Sequence, residues 1–120
     1  MFRNIDRACS IILAIGGIGH GFFGTLMMSP LTSEITLWSF SGSLAVWCIA
    51  AMNWLRTSRR GDFALALCAL IGALTWAVLM AWLMWLRNWW TDPRPVGFVI
   101  VCGLLAIFRV RDLFERRPEN

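Results

Sequence analysis

Residues 63–86 read FALALCALIGALTWAVLMAWLMWL, from Phe63 to Leu86 without one charged side chain. At ~1.5 Å per residue, a helix of that length spans about 36 Å, enough to cross the hydrocarbon core of a bilayer. A chain of 120 residues has too little interior to cover such a helix on every side. The expected surrounding is therefore lipid. Asp62, following the Gly61 break, reads as its N-cap, and Arg87-Asn88 as its end.

Working outward, the preceding apolar run is Thr36 to Leu55, with Ser33 as a plausible N-cap and Arg56, Arg59 and Arg60 closing it. The first run, Ala8 to Met28, is ~31 Å long as a helix, again the thickness of a hydrocarbon core. Arg3 and Arg7 precede it, so a signal peptide must be weighed. The run is too long for the apolar segment of one, and no small-x-small cleavage pattern follows, so an uncleaved helix ended by Ser29-Pro30 is expected. The last run, Val96 to Phe108, is only about 20 Å. Asp92-Pro93 supplies an N-cap with Pro at the first helical position. Arg109 and Arg111 are placed to snorkel to the headgroups, with the helix continuing toward Glu115 along the surface. A re-entrant segment is the alternative for this run.

The expectation is an all-α polytopic membrane protein. One domain, residues 1–120, forms a four-transmembrane-helix up-down bundle with helices near 8–28, 36–55, 63–86 and 93–112. Hydrophobic residues at 58% and charged residues at 15% agree with that class rather than with a soluble domain. Every basic residue is Arg. Arg3, Arg7, Arg56, Arg59, Arg60, Arg109, Arg111, Arg116 and Arg117 fall on one side of the bundle, against Arg87 and Arg94 on the other. The positive-inside rule then puts both termini in the cytoplasm. Arg in short clusters between apolar runs sets orientation, so the net charge of +4 does not point to nucleic acid. Arg without Lys also suggests a GC-rich bacterial gene, and with it an inner (plasma) membrane.

Composition excludes some chemistry. Without Lys there is no Schiff-base site for retinal or pyridoxal. Without Tyr there is no phenolic acid or radical. The single His20 prevents a bis-histidine haem within one chain. No phosphate-loop, zinc-protease or C-x-x-C pattern occurs. Cys9, Cys48, Cys68 and Cys102 fall one per helix, where buried Cys acts as a small apolar residue. No metal site and no particular cofactor is indicated. Proton-coupled multidrug transporters have this size and helix count, but they need a carboxylate in the first helix, and none lies between Arg7 and Met28.

Gly19-His20-Gly21 in the first helix, with a glycine-containing second helix ending in Arg, resembles small bacterial four-helix proteins of the DoxX-like class. The acidic residue expected in the second run of that class is missing between Thr36 and Leu55. The resemblance implies a four-helix membrane fold and carries no single activity.

One polar layer stands out. Gly16, Gly17, Gly21 and Gly24 surround His20 and make a small face suited to close helix packing or to an oligomer interface. His20 lies about 12 Å below the outer end of its helix. Ser43 on the second helix, Thr75 and Trp76 on the third, and Cys102 and Gly103 on the fourth are level with it by the same counting; Ser39 extends the track outward, and Glu34 and Asp92 lie near its mouth. Trp47 and Trp76 sit near mid-membrane, where an indole N–H needs a partner. The candidate ligand-binding residues are thus His20, Ser39, Ser43, Trp47, Thr75 and Trp76. The bland alternative is a neutral His20 bonded to Ser43 or Thr75, pinning two helices for ~0.6–2 kcal/mol. Trp38, Trp54, Trp82, Trp85, Trp89 and Trp90 map to the interfaces as an aromatic belt.

Three functions compete. The first is an accessory or structural subunit of a membrane complex, partnered by other membrane subunits or by itself. The second is a binding protein or carrier for a quinone- or lipid-like hydrophobic small molecule around His20. The third is an enzyme using His20 as general acid or base. The orientation is checked by reporter fusions at the C-terminus: a fluorescent protein should light up, and a phosphatase that needs the outer compartment should stay inactive.

Overall fold

The computed structural model describes residues 2–25, 33–59 and 61–114. Among these, four α-helices follow in order: α1 Phe2–Ile18, α2 Glu34–Arg56, α3 Phe63–Arg87 and α4 Pro93–Phe114. At its end α1 passes directly into a π-helical segment, Gly19–Thr25. The expected end of the first helix at Met28, its Ser29-Pro30 stop, Arg60 and the tail with Arg116 and Arg117 lie outside the described residues.

Three stretches, Arg3–Phe22, Glu34–Arg56 and Phe63–Arg87, are long and apolar enough to cross a membrane, with mean hydropathies of 1.2, 1.6 and 2.3. The apolar part of α4, Pro93–Phe108, is shorter. Even so, α4 is helical throughout its 22 residues, about 33 Å; the irregular backbone that can interrupt a re-entrant segment is not found there.

Local chemistry sets the helix ends. The Ser33 hydroxyl accepts from the Thr36 N–H at 3.2 Å, and Asp62 Oδ1 accepts from the Leu65 N–H at 3.0 Å. Asp92 Oδ1 takes the Arg94 N–H at 2.9 Å, just after Pro93. Each side chain accepts from a donor of the first turn, and the Thr36 N–H is shared with the Ser33 carbonyl at 3.1 Å. Asn88 closes α3 in the left-handed region, φ 54°, with its N–H on the Met84 and Trp85 carbonyls.

Each helix packs on the next, and α4 returns to α1. The neighbours run antiparallel, since Arg7 meets Thr57 and Trp47 meets Ala14, while a Cβ at Gly42 would touch Trp76 and one at Gly72 would touch Ile49. The core joins Cys9 and Leu13 of α1, Val46, Ile49 and Ala50 of α2, Ala73 of α3, and Cys102 and Leu105 of α4. Besides Met84, α3 buries only Ala66, Ala69 and Ala73, small side chains that let a neighbouring backbone come close. Large apolar side chains such as Ile15, Ile35, Val78 and Ile107 are more than half exposed around the outside, an arrangement suited to lipid rather than water.

The α1–α2 contact depends on absent side chains. A Cβ at Gly17 would lie 2.7 Å from Trp47 Nε1, and one at Gly21 would lie 2.5 Å from Ser43 Oγ. With glycine there, the Trp47 indole reaches across and donates to the Ala14 carbonyl at 3.1 Å. Toward the other end of this seam the contact is polar too. Arg7 Nε donates to Thr57 Oγ1 at 3.1 Å and stacks 5.3 Å from the Trp54 ring. Asn53, fully buried, donates to the Ile49 carbonyl at 2.9 Å.

Gly17→Ala should displace Trp47 and lower stability by about 1–3 kcal/mol in a detergent unfolding titration. Gly103→Ala, where a Cβ meets nothing within 4 Å, should be neutral or slightly stabilising through helix propensity.

Candidate functional site

The π-helical segment ends α1 beside a cavity of about 200 Å³ that all four helices line. His20 and Thr25 come from the π segment, Ser43 and Val46 from α2, and Trp76, Met80 and Leu83 from α3. Trp89, Asp92, Arg94, Pro95 and Phe98 complete it from α4 and the turn before it. π-helical turns are uncommon and are found often at functional sites, because they re-aim side chains that a regular helix would stack.

The hydroxyls around the cavity are committed to backbone. Thr25 Oγ1 donates to the His20 carbonyl at 3.1 Å and is also hydrogen-bonded to Ser39 Oγ. Ser43 Oγ donates to the Ser39 carbonyl at 3.1 Å. Two groups are not so engaged. The His20 side chain is exposed, and the buried Trp76 Nε1–H meets no acceptor among the described residues. Leaving a buried N–H without an acceptor costs about 1–3 kcal/mol. Trp76 is held edge-to-face on Phe98, with ring centroids 6.5 Å apart.

At the rim, Arg94 Nη2 and Asp92 Oδ2 lie 2.6 Å apart, with Arg94 Nε donating to Asp92 Oδ1 at 3.0 Å. The hydrogen bonds from Arg94 hold the Asp92 carboxyl below its usual range. That carboxylate is therefore ionised at neutral pH and already occupied.

His20, Ser43 and Trp76 come together at the cavity. Ser39 is one turn along α2, bonded to Thr25. Trp47 is on the same face of α2 but spends its N–H on Ala14, so it ties helices together and does not line the cavity. Thr75 is exposed and points away. The bond from His20 to Ser43 or Thr75 that level counting suggested is not formed. Gly21, the next residue, takes the face toward Ser43, which leaves His20 turned toward α4. Gly16, Gly17 and Gly21 receive Phe98, Trp47 and Ser43 of the same chain, and Gly24 falls within the π segment. Six indoles, Trp38, Trp54, Trp82, Trp85, Trp89 and Trp90, are exposed.

Asp92, expected near the mouth, is at the rim, whereas Thr25 and Arg94 were not among the residues expected to line a site. Thr25 lay unmarked inside the first apolar run, and the charge of Arg94 was read as a sign of topology. Chemically, the cavity offers the His20 imidazole over apolar walls, with the Trp76 N–H unsatisfied within one wall and the Arg94–Asp92 pair at the rim. No protein-family model, curated protein or solved structure matches the chain.

Ser43→Val, at a buried position packed on Gly21, should cost about 1–3 kcal/mol of stability by overpacking. Thr75→Val should stay within about 0.5 kcal/mol. Thermal unfolding of the two variants in one detergent compares them directly.

Proposed function

We propose that the chain is a small plasma-membrane protein that crosses the bilayer four times, with both termini cytoplasmic, and binds a hydrophobic small molecule in the outer leaflet. The observation that carries this proposal is the Trp76 N–H, buried at the cavity wall without an acceptor among the described residues. In an apolar medium no water is at hand to satisfy it. A carbonyl or hydroxyl oxygen on a quinone- or lipid-like ligand would do so, with His20 as a second donor and Phe98 and Val46 as apolar walls.

Acid–base catalysis by His20 is less well supported. A general base is normally oriented by a second group on its ring, and the carboxylate at the rim, Asp92, is engaged with Arg94. A role as an accessory subunit, in a complex or a homo-oligomer, is favoured by a different surface. Trp82 and Trp85, one turn apart on α3, are both exposed. The glycines beside His20 lend an interface no further support, because Gly16, Gly17 and Gly21 are used inside the chain.

Native mass spectrometry of the protein drawn gently from its own membrane tests the binding function. A bound small molecule should accompany the unaltered chain and fall about tenfold in Trp76→Phe and in His20→Ala. A bare chain, or retention equal in all three proteins, would refute it.

A further inference from the structure

His20 and Arg94 line a second recess as well, a groove of about 440 Å³ on the outer face between α1 and α4. Ile12, Ile15 and Val101 flank it. Its shape comes from missing side chains: a Cβ at Gly19 or at Gly97 would meet nothing within 4 Å. At one end the groove joins the polar cavity through the residues common to both, and along its length it is apolar.

That geometry suits a molecule with a compact polar head and one linear chain. The charges at the junction also constrain the head. Arg94 and Asp92 neutralise each other, so a charged head would arrive without a dedicated counter-ion in a medium where unpaired charge is costly. What the junction presents instead is the neutral-polar edge of His20, one N–H and one acceptor nitrogen, with the Trp76 N–H lying without an acceptor within the cavity wall. A neutral head that only accepts hydrogen bonds meets both conditions.

Building on the binding cavity proposed above, we infer that the ligand is a neutral single-chain amphiphile, with its carbonyl head against His20 and Trp76 and its chain in the α1–α4 groove. The division of labour follows from the solvent. A chain moving from lipid into an apolar groove gains little, because lipid is as apolar as the groove. The head gains acceptor contacts to donors that lipid cannot satisfy. The head therefore supplies most of the affinity, and the groove acts by shape: a ligand seated by its head must lay its chain there, so a filled groove turns a long chain away. Because the groove opens along the side of the bundle, the ligand arrives laterally from the bilayer.

The test uses the full chain in lipid nanodiscs and two probes with one head, a short-chain and a long-chain methyl ketone, read by native mass spectrometry. Gly97→Leu fills the groove from a position with open space around it. It should lower retention of the long-chain probe about tenfold and leave the short-chain probe unchanged. Gly19→Leu fills the groove from the opposite wall and should do the same, which guards against one variant that misfolds. If both variants treat the two probes alike, the groove holds no ligand chain and is covered by ordinary lipid or a second copy, and the inference fails while the cavity stands. If the matching fatty acid is retained more strongly than the ketone, the neutral head is wrong. If the unaltered protein retains neither ketone, the cavity proposal falls and this one with it.

Discussion

An indole N–H inside an apolar bundle must find an acceptor or stay costly, and two tryptophans answer that constraint in opposite ways. Trp47 crosses from α2 to α1 and donates to the Ala14 carbonyl at 3.1 Å. Trp76, on α3, ends at a cavity wall with no acceptor. The first fixes the helix pair that carries His20. The second leaves a donor without an acceptor among the described residues, closed off within the wall of the cavity beside it. In the membrane setting proposed for the chain, no water would relieve that cost.

Glycine makes the arrangement possible, and its effect is local. At Gly17 and Gly21 the missing Cβ lets α2 close on α1, bringing Trp47 and Ser43 into contact with the helix backbone. At Gly19 and Gly97 nothing fills the space, and a groove is left on the outside. The π-helical winding from Gly19 to Thr25 includes Gly19 and Gly21 and so takes part in both features. It carries His20 at the junction of cavity and groove, and its Thr25 hydroxyl reaches back five residues to the His20 carbonyl. Packing and opening thus alternate along one short stretch of the chain.

Much of the fold was legible because its signals are local. Ser33, Asp62 and Asp92 announce helix starts, and the first two caps and the third all form as hydrogen bonds. Uncharged runs gave α2 and α3 to within two residues at either end. Depth was legible on the first three helices, since the rise per residue is constant, and His20, Ser43 and Trp76 do share a cavity; on α4 the same count named Cys102 and Gly103, whereas Cys102 lies in the core with Cys9 and Leu13 and Arg94 and Phe98 stand beside His20. Rotation was not. Thr75 and Trp76 differ by about 100° around a helix, and counting along an axis does not say which of them faces inward. A change to π winding leaves no mark that periodicity detects. Asp92 was legible as a cap and near the mouth, but Arg94 only as topology, since its position over the cavity depends on where α4 meets the π segment. Asn53, buried inside an apolar run, gave no signal apart from its own polarity.

The central claim is that the Trp76 N–H meets a ligand acceptor, and the indole signals themselves can report it. Nitrogen–proton NMR would resolve the indole groups of the 8 tryptophans, with Trp76 assigned by its loss in Trp76→Phe. Spectra would be compared for protein taken gently from its membrane and for the same protein after exhaustive exchange into synthetic lipid. The account predicts that the Trp76 signal moves on exchange, as its acceptor leaves, while the Trp47 signal, held by Ala14, stays in place. A Trp76 signal that is identical in both samples, or that moves only together with Trp47, would contradict it.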